Sequence, residues 1–261
     1  MNDELKFTVI SDTHYYSKKN FVDGFDKNKK PKPGQLFFSR SEEIVEHTFD
    51  CLCKNDTPDI VLISGDLTYN GERTSHDEMK AALKKLQQKG KRVYVITATH
   101  DYTSPRMPTY GIDKNDKYIE VESVKRTQLL KYYGDFGYNN AIAKHKSTMS
   151  YVAQLADGYR LFALNDDYGD PDCGFSDELM NWVKTEANNA KRDGQYIIAM
   201  THHPLVPPSP IYAAVAKGDM LSEYELRRKQ LSDLGFDFVL TGHTHMHNLS
   251  LIHISEPTRR S

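Results

Sequence analysis

Five short apolar runs punctuate the chain, and each is followed within a few residues by side chains that bind metals. Val9-Ile10 leads to Asp12 and His14, Ile60-Val61-Leu62-Ile63 to Asp66, and Val93-Tyr94-Val95-Ile96 to His100 and Asp101. Ile197-Ile198-Ala199-Met200 leads to His202 and His203, and Phe238-Val239-Leu240 to His243 and His245. Continuous Val/Ile/Leu runs of this length read as buried parallel strands, and ligands of α/β sheets gather beyond the carboxyl ends of such strands. One shared site is the economical reading.

Between the runs the period changes to that of helices. Ser39 and Glu42 form a capping-box pattern ahead of Ile44, Val45, Thr48, Phe49 and Leu52, and Thr74 or Ser75 opens a second amphipathic stretch that Gly90 stops. Ser123 to Tyr133 reads as a third helix. Thr148–Gln154 and Tyr159–Asn165 read as a hairpin about Asp157-Gly158. Ser176 caps a helix that runs to Gly194, and Ser222 with Glu225 opens another that Gly235 ends. Strands alternating with helices predict an α/β fold with right-handed parallel crossovers, to which the hairpin adds antiparallel strands.

Taken singly, each polar motif has an ordinary explanation. Asp after a strand is commonly the N-cap of the next helix, and a lone His is commonly a satisfied core or surface residue. Jointly they sort too well: six of the 11 histidines (His14, His100, His202, His203, His243, His245) stand at strand ends, whereas His47 and His76 fall in helical stretches. Residues at i and i+2 of an extended segment share a side, so Asp12 and His14 can converge on one ion, as can the residues flanking Thr244. Mixed carboxylate and imidazole suits Mn, Fe or Zn. Cys51, Cys53 and Cys173 lack the spacing of a zinc ribbon or a redox pair.

Composition narrows the classes further. A chain of 261 residues with 38% hydrophobic content supports one sizeable core. A net charge of −2 argues against broad, non-specific nucleic-acid binding. No apolar run is long enough for a membrane span, and the charged start, Met1 to Lys6, leaves no room for a signal peptide, so a cytoplasmic location is the default expectation.

The series Asp12-Thr13-His14, Gly65-Asp66, His100-Asp101, His202-His203-Pro204 and Gly242-His243-Thr244-His245 resembles, in order and spacing over residues 6 to 249, the calcineurin-like metallophosphoesterases. The stretch Leu161 to Pro204 looks most like the bacterial branch that includes cyclic-nucleotide phosphodiesterases. The resemblance implies a four-layered α/β/β/α sandwich over residues 1–250, with insertions at about 15–38 and 102–147. It implies two divalent metal ions: Asp12, His14 and His245 on one, His202 and His243 on the other, and Asp66 bridging them. It further implies a phosphoester hydrolase, most of all a phosphodiesterase acting on a small substrate, in which a metal-bound hydroxide attacks phosphorus. His100, oriented by Asp101, would protonate the leaving group or hold the phosphate.

Two departures bear on the metals. The family's third motif usually reads Gly-Asn-His-Asp, and here it is Ala98-Thr99-His100-Asp101. Thr99 would offer a neutral hydroxyl to the second metal or leave that position to water, and a weaker second metal is expected. An alternative is that Thr99 is only a packed β residue. Tyr69, three residues past Asp66, resembles the iron-binding tyrosine of purple acid phosphatases and competes with His14 for one coordination place. His14 is favoured because imidazole suits divalent ions. The Lys-rich loop after His14 reads as a solvated segment or as a lid offering cations to a phosphate, and Pro204 to Pro210 as a rigid rim.

After Leu249 the family would normally continue through further strands, so the chain looks truncated, and residues 251–261 look like a non-native tail. Missing strands would expose a sheet edge. Two other functions stay open: a nuclease, and a metal-binding regulatory or scaffold module whose second site has decayed at Thr99.

Overall fold

The computed structural model describes residues 4–23, 38–54, 56–168 and 172–246. In chain order the elements are β1 (Phe7–Ile10), α1 (Ser41–Leu52), β2 (Ile60–Ser64), α2 (Arg73–Gln88), β3 (Arg92–Ile96), β4 (Gly111–Ile112), β5 (Tyr118–Ile119) and α3 (Leu129–Tyr133). There follow β6 (Ala143–His145), β7 (Ser150–Ala156), β8 (Tyr159–Ala163), α4 (Asp177–Arg192), β9 (Tyr196–Met200), α5 (Pro210–Val215), α6 (Tyr224–Asp233) and β10 (Phe238–Leu240). All five apolar runs are strands.

They divide between two sheets. One is parallel in the order β1-β2-β3, and the other runs β10-β9-β8-β7-β6, with β10, β9 and β8 parallel and β7 and β6 antiparallel. Alternation along the strands separates three apolar layers. Val61 and Ile63 of β2 pack with Val93 and Val95 under α1, α2 and α3, while Ile60 and Leu62 face the other way onto Leu161, Ala163, Ile198 and Met200. Phe162, Ile197 and Ala199 turn outward to α4 and α6. The order is therefore helices, sheet, sheet, helices, the α/β/β/α sandwich expected from the sequence.

Local signals fared unevenly. Ser176 caps α4 through its hydroxyl at Leu179 N, and Asp157-Gly158 turns the β7–β8 hairpin, both as read. The expected capping box of Ser39 and Glu42 does not form: α1 starts at Ser41 after a 3-10 turn, Ser41 Oγ accepts from Tyr16 N, and Glu42 accepts from Lys18 N. Ser75 likewise accepts from Ser17 N instead of capping α2, whose N-cap is Glu72. At α6 the N-cap is Glu223, because the Ser222 hydroxyl donates to Asp172 O. In each case tertiary partners took the hydroxyl or carboxylate that local capping would have used. The helix expected from Ser123 is one short turn plus α3, since Ser123 bridges Glu72 as extended chain.

Lys18 ion-pairs with Glu42 and Glu43 and Lys19 with Glu78, so these two lysines serve α1 and α2 rather than a phosphate. Lys27, Lys29, Lys30 and Lys32 of the expected lid, and the expected tail from 251 with His247 and His253, lie outside the described residues. Among the described residues no helix is long and apolar enough to cross a membrane.

Candidate metal centre

The carboxyl ends of β1, β2 and β3 meet those of β9 and β10 at one place. Three overlapping groups of side chains there bring ligand atoms within 4.8 Å of one another: Asp12, His14 and His245; His14, Asp66 and His100; and Asp66, His202 and His243. His14 Nε2 stands 3.1 Å from His245 Nε2, and Asp66 Oδ2 stands 3.1 Å from His202 Nε2 and 3.8 Å from His14 Nε2. Ligands about 2.0–2.2 Å from a common ion lie at such separations from each other. Asp66 Oδ1 is occupied by the His100 N–H at 3.0 Å, so Oδ2 is the atom that faces both groups.

Convergence is achieved by unusual backbone. The i, i+2 argument placed Asp12 and His14 on one side of an extended segment, and the structure corrects it: φ is +55° at Asp12 and +39° at His14. Asp66 (+51°), His243 (+70°) and His245 (+53°) are left-handed as well. A left-handed non-glycine residue costs about 1–2 kcal/mol, and alternation along a strand cannot aim side chains past its end. Two glycines make room. A Cβ on Gly65 would lie 2.8 Å from His202 Nδ1, and one on Gly242 would lie 2.7 Å from Asp12 Oδ2.

A carboxylate to which the sequence reading gave no role organises the histidine pair. Asp166, fully buried beyond β8, accepts from Thr201 Oγ1 (2.7 Å), His202 N (3.1 Å) and His203 N (2.7 Å), and stands 3.3 Å from His203 Nδ1. Burial alone would raise its pKa, but His203, His202 and the Thr201 hydroxyl outweigh it and hold the group well below the usual range. The only hint was its place after an apolar run, Leu161 to Leu164, that ends level with His202. His202 Nδ1 donates to Ser64 O at 2.8 Å, which leaves Nε2 as the ligand atom. His203 does not point away: its ring lies 4.4 Å from that of His243.

Thr99 and His100 open the 3-10 turn after β3. The expected Asp101 to His100 contact gives way to another arrangement. Asp101 Oδ1 accepts from Thr68 N and Oδ2 from Ala98 N, both at 2.9 Å, so the carboxylate ties the loops after β2 and β3 together. Burial and the Asp66 carboxylate push Asp101 upward against those two N–H groups. The His100 ring is held instead by Tyr69 O and Asn70 Oδ1. Tyr69 packs edge-on to Tyr16 and Tyr110 and its hydroxyl accepts from Tyr110 OH at 3.1 Å, whereas His14 stands within the ligand groups.

The electrostatics ask for a cation. Burial pushes His14 and His243 down to about 4, keeping them neutral donors. Burial would do the same to His202, but Asp66 and then Asp12 pull it upward, so that a proton stands in for a more highly charged ion. His14 Nδ1 and His202 Nε2 are buried without a hydrogen-bond partner among the described residues. The neutral imidazoles of His14 and His243, two carboxylates and an unpartnered buried nitrogen at the focus fit a pair of divalent ions.

The family model of the calcineurin-like phosphoesterases matches residues 5–247, and the chain belongs to that family. It is an enzyme of the phosphoric ester hydrolase class, and its family uses divalent metals at a dinuclear site. Among solved structures it is similar to a dimetal phosphatase from Danio rerio, with a TM-score of 0.61 at 12% identity over 92% of this chain and 82% of that one. It is also similar to a purple acid phosphatase from yellow lupin (Lupinus luteus) seeds, with a TM-score of 0.52 at 12% identity, covering 92% of this chain but 38% of that one. At such identities the likeness is one of fold. Among curated protein sequences, none matches the chain.

Proposed function

We propose that the chain hydrolyses small phosphodiesters at a two-metal centre, at which Asp12, His14 and His245 would hold one ion, His202 and His243 the other, and Asp66 would be shared between them. The observation that carries this reading is the backbone. Of nine non-glycine residues with left-handed φ among those described, five are members of these ligand groups. Strain of that kind persists where the surrounding structure over-determines it, and it clusters at functional sites.

Bound divalent ions would polarise the phosphoryl oxygens and acidify a water. The chain supplies the rest. Asp66 keeps the two groups on one oxygen, His202 enters with its tautomer already set by Ser64, and His100 stands beside His14 with its rings 4.6 Å apart, placed to donate a proton to the leaving oxygen. Thr99, one residue earlier, is offered to the second ion. Asp101 serves the site by tying the His100 turn to the Asp66 loop. Diester preference is supported by charge. Among the described residues no lysine or arginine is a hydrogen-bond or ion-pair partner of any of these seven side chains, and a diester monoanion asks for less positive charge than a monoester dianion.

The test is hydrolysis of bis(p-nitrophenyl) phosphate beside p-nitrophenyl phosphate, after chelation and reloading with manganese. Metal-dependent diester turnover is expected, falling by about a hundredfold to ten-thousandfold in His100→Ala. A monoester preference would make the protein a phosphatase instead, and metal uptake without turnover would select a binding module.

A further inference from the structure

We propose that Asn70 is a positioning residue that fixes the His100 imidazole with Nδ1–H turned away from the ligand groups, so that Nε2 is the nitrogen presented to the substrate. The proposal rests on the reading of His100 given above and deepens it. Two oxygens approach Nδ1: the Tyr69 carbonyl, and Asn70 Oδ1 at 2.8 Å. Which end of the Asn70 amide faces the ring follows from its other contacts. Nδ2 donates to Pro108 O at 3.3 Å. Rotating the amide by half a turn would set Oδ1 against the Pro108 carbonyl, two acceptors face to face, so Oδ1 belongs at His100.

Two acceptors at one ring nitrogen require that nitrogen to carry the proton. A neutral imidazole has one N–H, and here it is Nδ1–H, so Nε2 takes a proton from solvent water and passes that proton to the leaving oxygen. Asn70 is itself held at two further points. Its side chain is buried, its N–H donates to Glu72 Oε1 at 3.0 Å, and its carbonyl accepts from Thr109 Oγ1. Glu72 is the N-cap residue of α2, so the orientation of His100 is referred back to a sixteen-residue helix rather than to a free loop. His100 thereby has an orienting partner although Asp101 does not serve as one. With Asp101 committed to Thr68 and Ala98, the turn after β2 supplies the orienting oxygens at Nδ1.

The experiment uses the full chain loaded with zinc, in which nitrogen-15 chemical shifts of histidine report the His100 tautomer independently of turnover. Wild type is expected to show Nδ1–H. Asn70→Ala is expected to lose the single tautomer and to lower kcat on bis(p-nitrophenyl) phosphate by about tenfold to a hundredfold with KM and bound zinc unchanged, the size of effect expected when a catalytic group is misplaced. Asn70→Asp, which keeps an oxygen at the ring, is expected to retain the tautomer and most of kcat. Should the alanine variant fail to fold, Asn70→Ser, polar but too short to reach the ring, takes its place. An unchanged tautomer and kcat in the alanine or serine variant would overturn the proposal, as would loss of zinc in step with loss of kcat. A tautomer that shifts on substitution in a protein that turns over no ester would uphold the positioning role and overturn the hydrolase reading alone.

Discussion

His202 and His14 stand on either side of the Asp66 carboxylate, and the chain holds them by different means. His202 is fully buried, its Nδ1 is fixed on Ser64 O, and its backbone N–H is fixed on Asp166. His14 is nearly as buried, but its Nδ1 has no partner among the described residues, and its companion His245 is exposed. In return, the group around His14 brings a carboxylate of its own, Asp12, besides the shared Asp66, whereas the group around His202 has only the shared one. One side is therefore organised in advance, and the other carries more charge. For hard or borderline divalent ions the added carboxylate outweighs orientation, so the His14 side should bind more tightly. If Thr99 serves the second ion as proposed, a hydroxyl in place of an amide would weaken the His202 side in the same direction.

The widest separation of the two sides should come from Asp166→Asn. All three donors reach one oxygen, Oδ2, so an amide oxygen can replace it there, but the carboxylate charge beside His202 and His203 is lost and an NH2 faces His203 Nδ1 where Oδ1 stood. Losing a supporting partner of a ligand typically costs about tenfold to a hundredfold in metal affinity. Calorimetric titration with manganese should show that loss on the weaker binding event alone, together with a lower melting temperature from the charge lost beside His203 and His202. Equal weakening of both events would show that the two sides are not independently braced.

Thr99→Asn should move the comparison the other way. An amide oxygen restored at the turn after β3 is expected to tighten the weaker event by about tenfold and to leave the stronger one unchanged. If the two events are already equal and tight in wild type, the asymmetry argued here is wrong.

How much of this was legible beforehand follows from the physics of each part. Strand ends were legible because burial on both faces forces unbroken apolar runs, and Ile60–Ile63 or Ile197–Met200 admit little else. The convergence of candidate ligands was legible because Asp66 or His243 has no other evident reason to follow such a run in ordered company. Backbone handedness was not, since any residue can be driven to positive φ when enough neighbours over-determine it, and Asp12 and His14 carry no glycine-like mark. Orienting partners were hidden for another reason. Asn70 meets His100 across a separation of 30 residues, and Asp166 meets His202 across 36. No local pattern encodes such pairs, and Asp101, adjacent to His100 in sequence, was the natural wrong choice.

The smallest effect concerns the brace beneath the turn that carries His100. His76, in α2, lies fully buried between Tyr133 OH at Nδ1 (2.6 Å) and the Asp101 carbonyl at Nε2 (3.0 Å). A carbonyl must receive a proton, so Nε2 carries the N–H and Nδ1 accepts from tyrosine; a second proton would set two donors against each other. Burial accordingly pushes His76 down to about 3. Because the folded pKa lies below the unfolded one, near 6.5, the unfolded chain binds the extra proton first, and stability falls as pH drops through the interval between them. From pH 6.5 to about 5.5 this single group should remove about 1 kcal/mol. His14 and His243 are depressed by burial too and act in the same sense in metal-free protein, so the measurement is a difference. Urea unfolding of wild type and His76→Gln across that interval should show the wild type losing about 1 kcal/mol more than the variant. Parallel losses would mean that His76 is already protonated in the folded state, and that the turn carrying His100 rests on a charged rather than a neutral support.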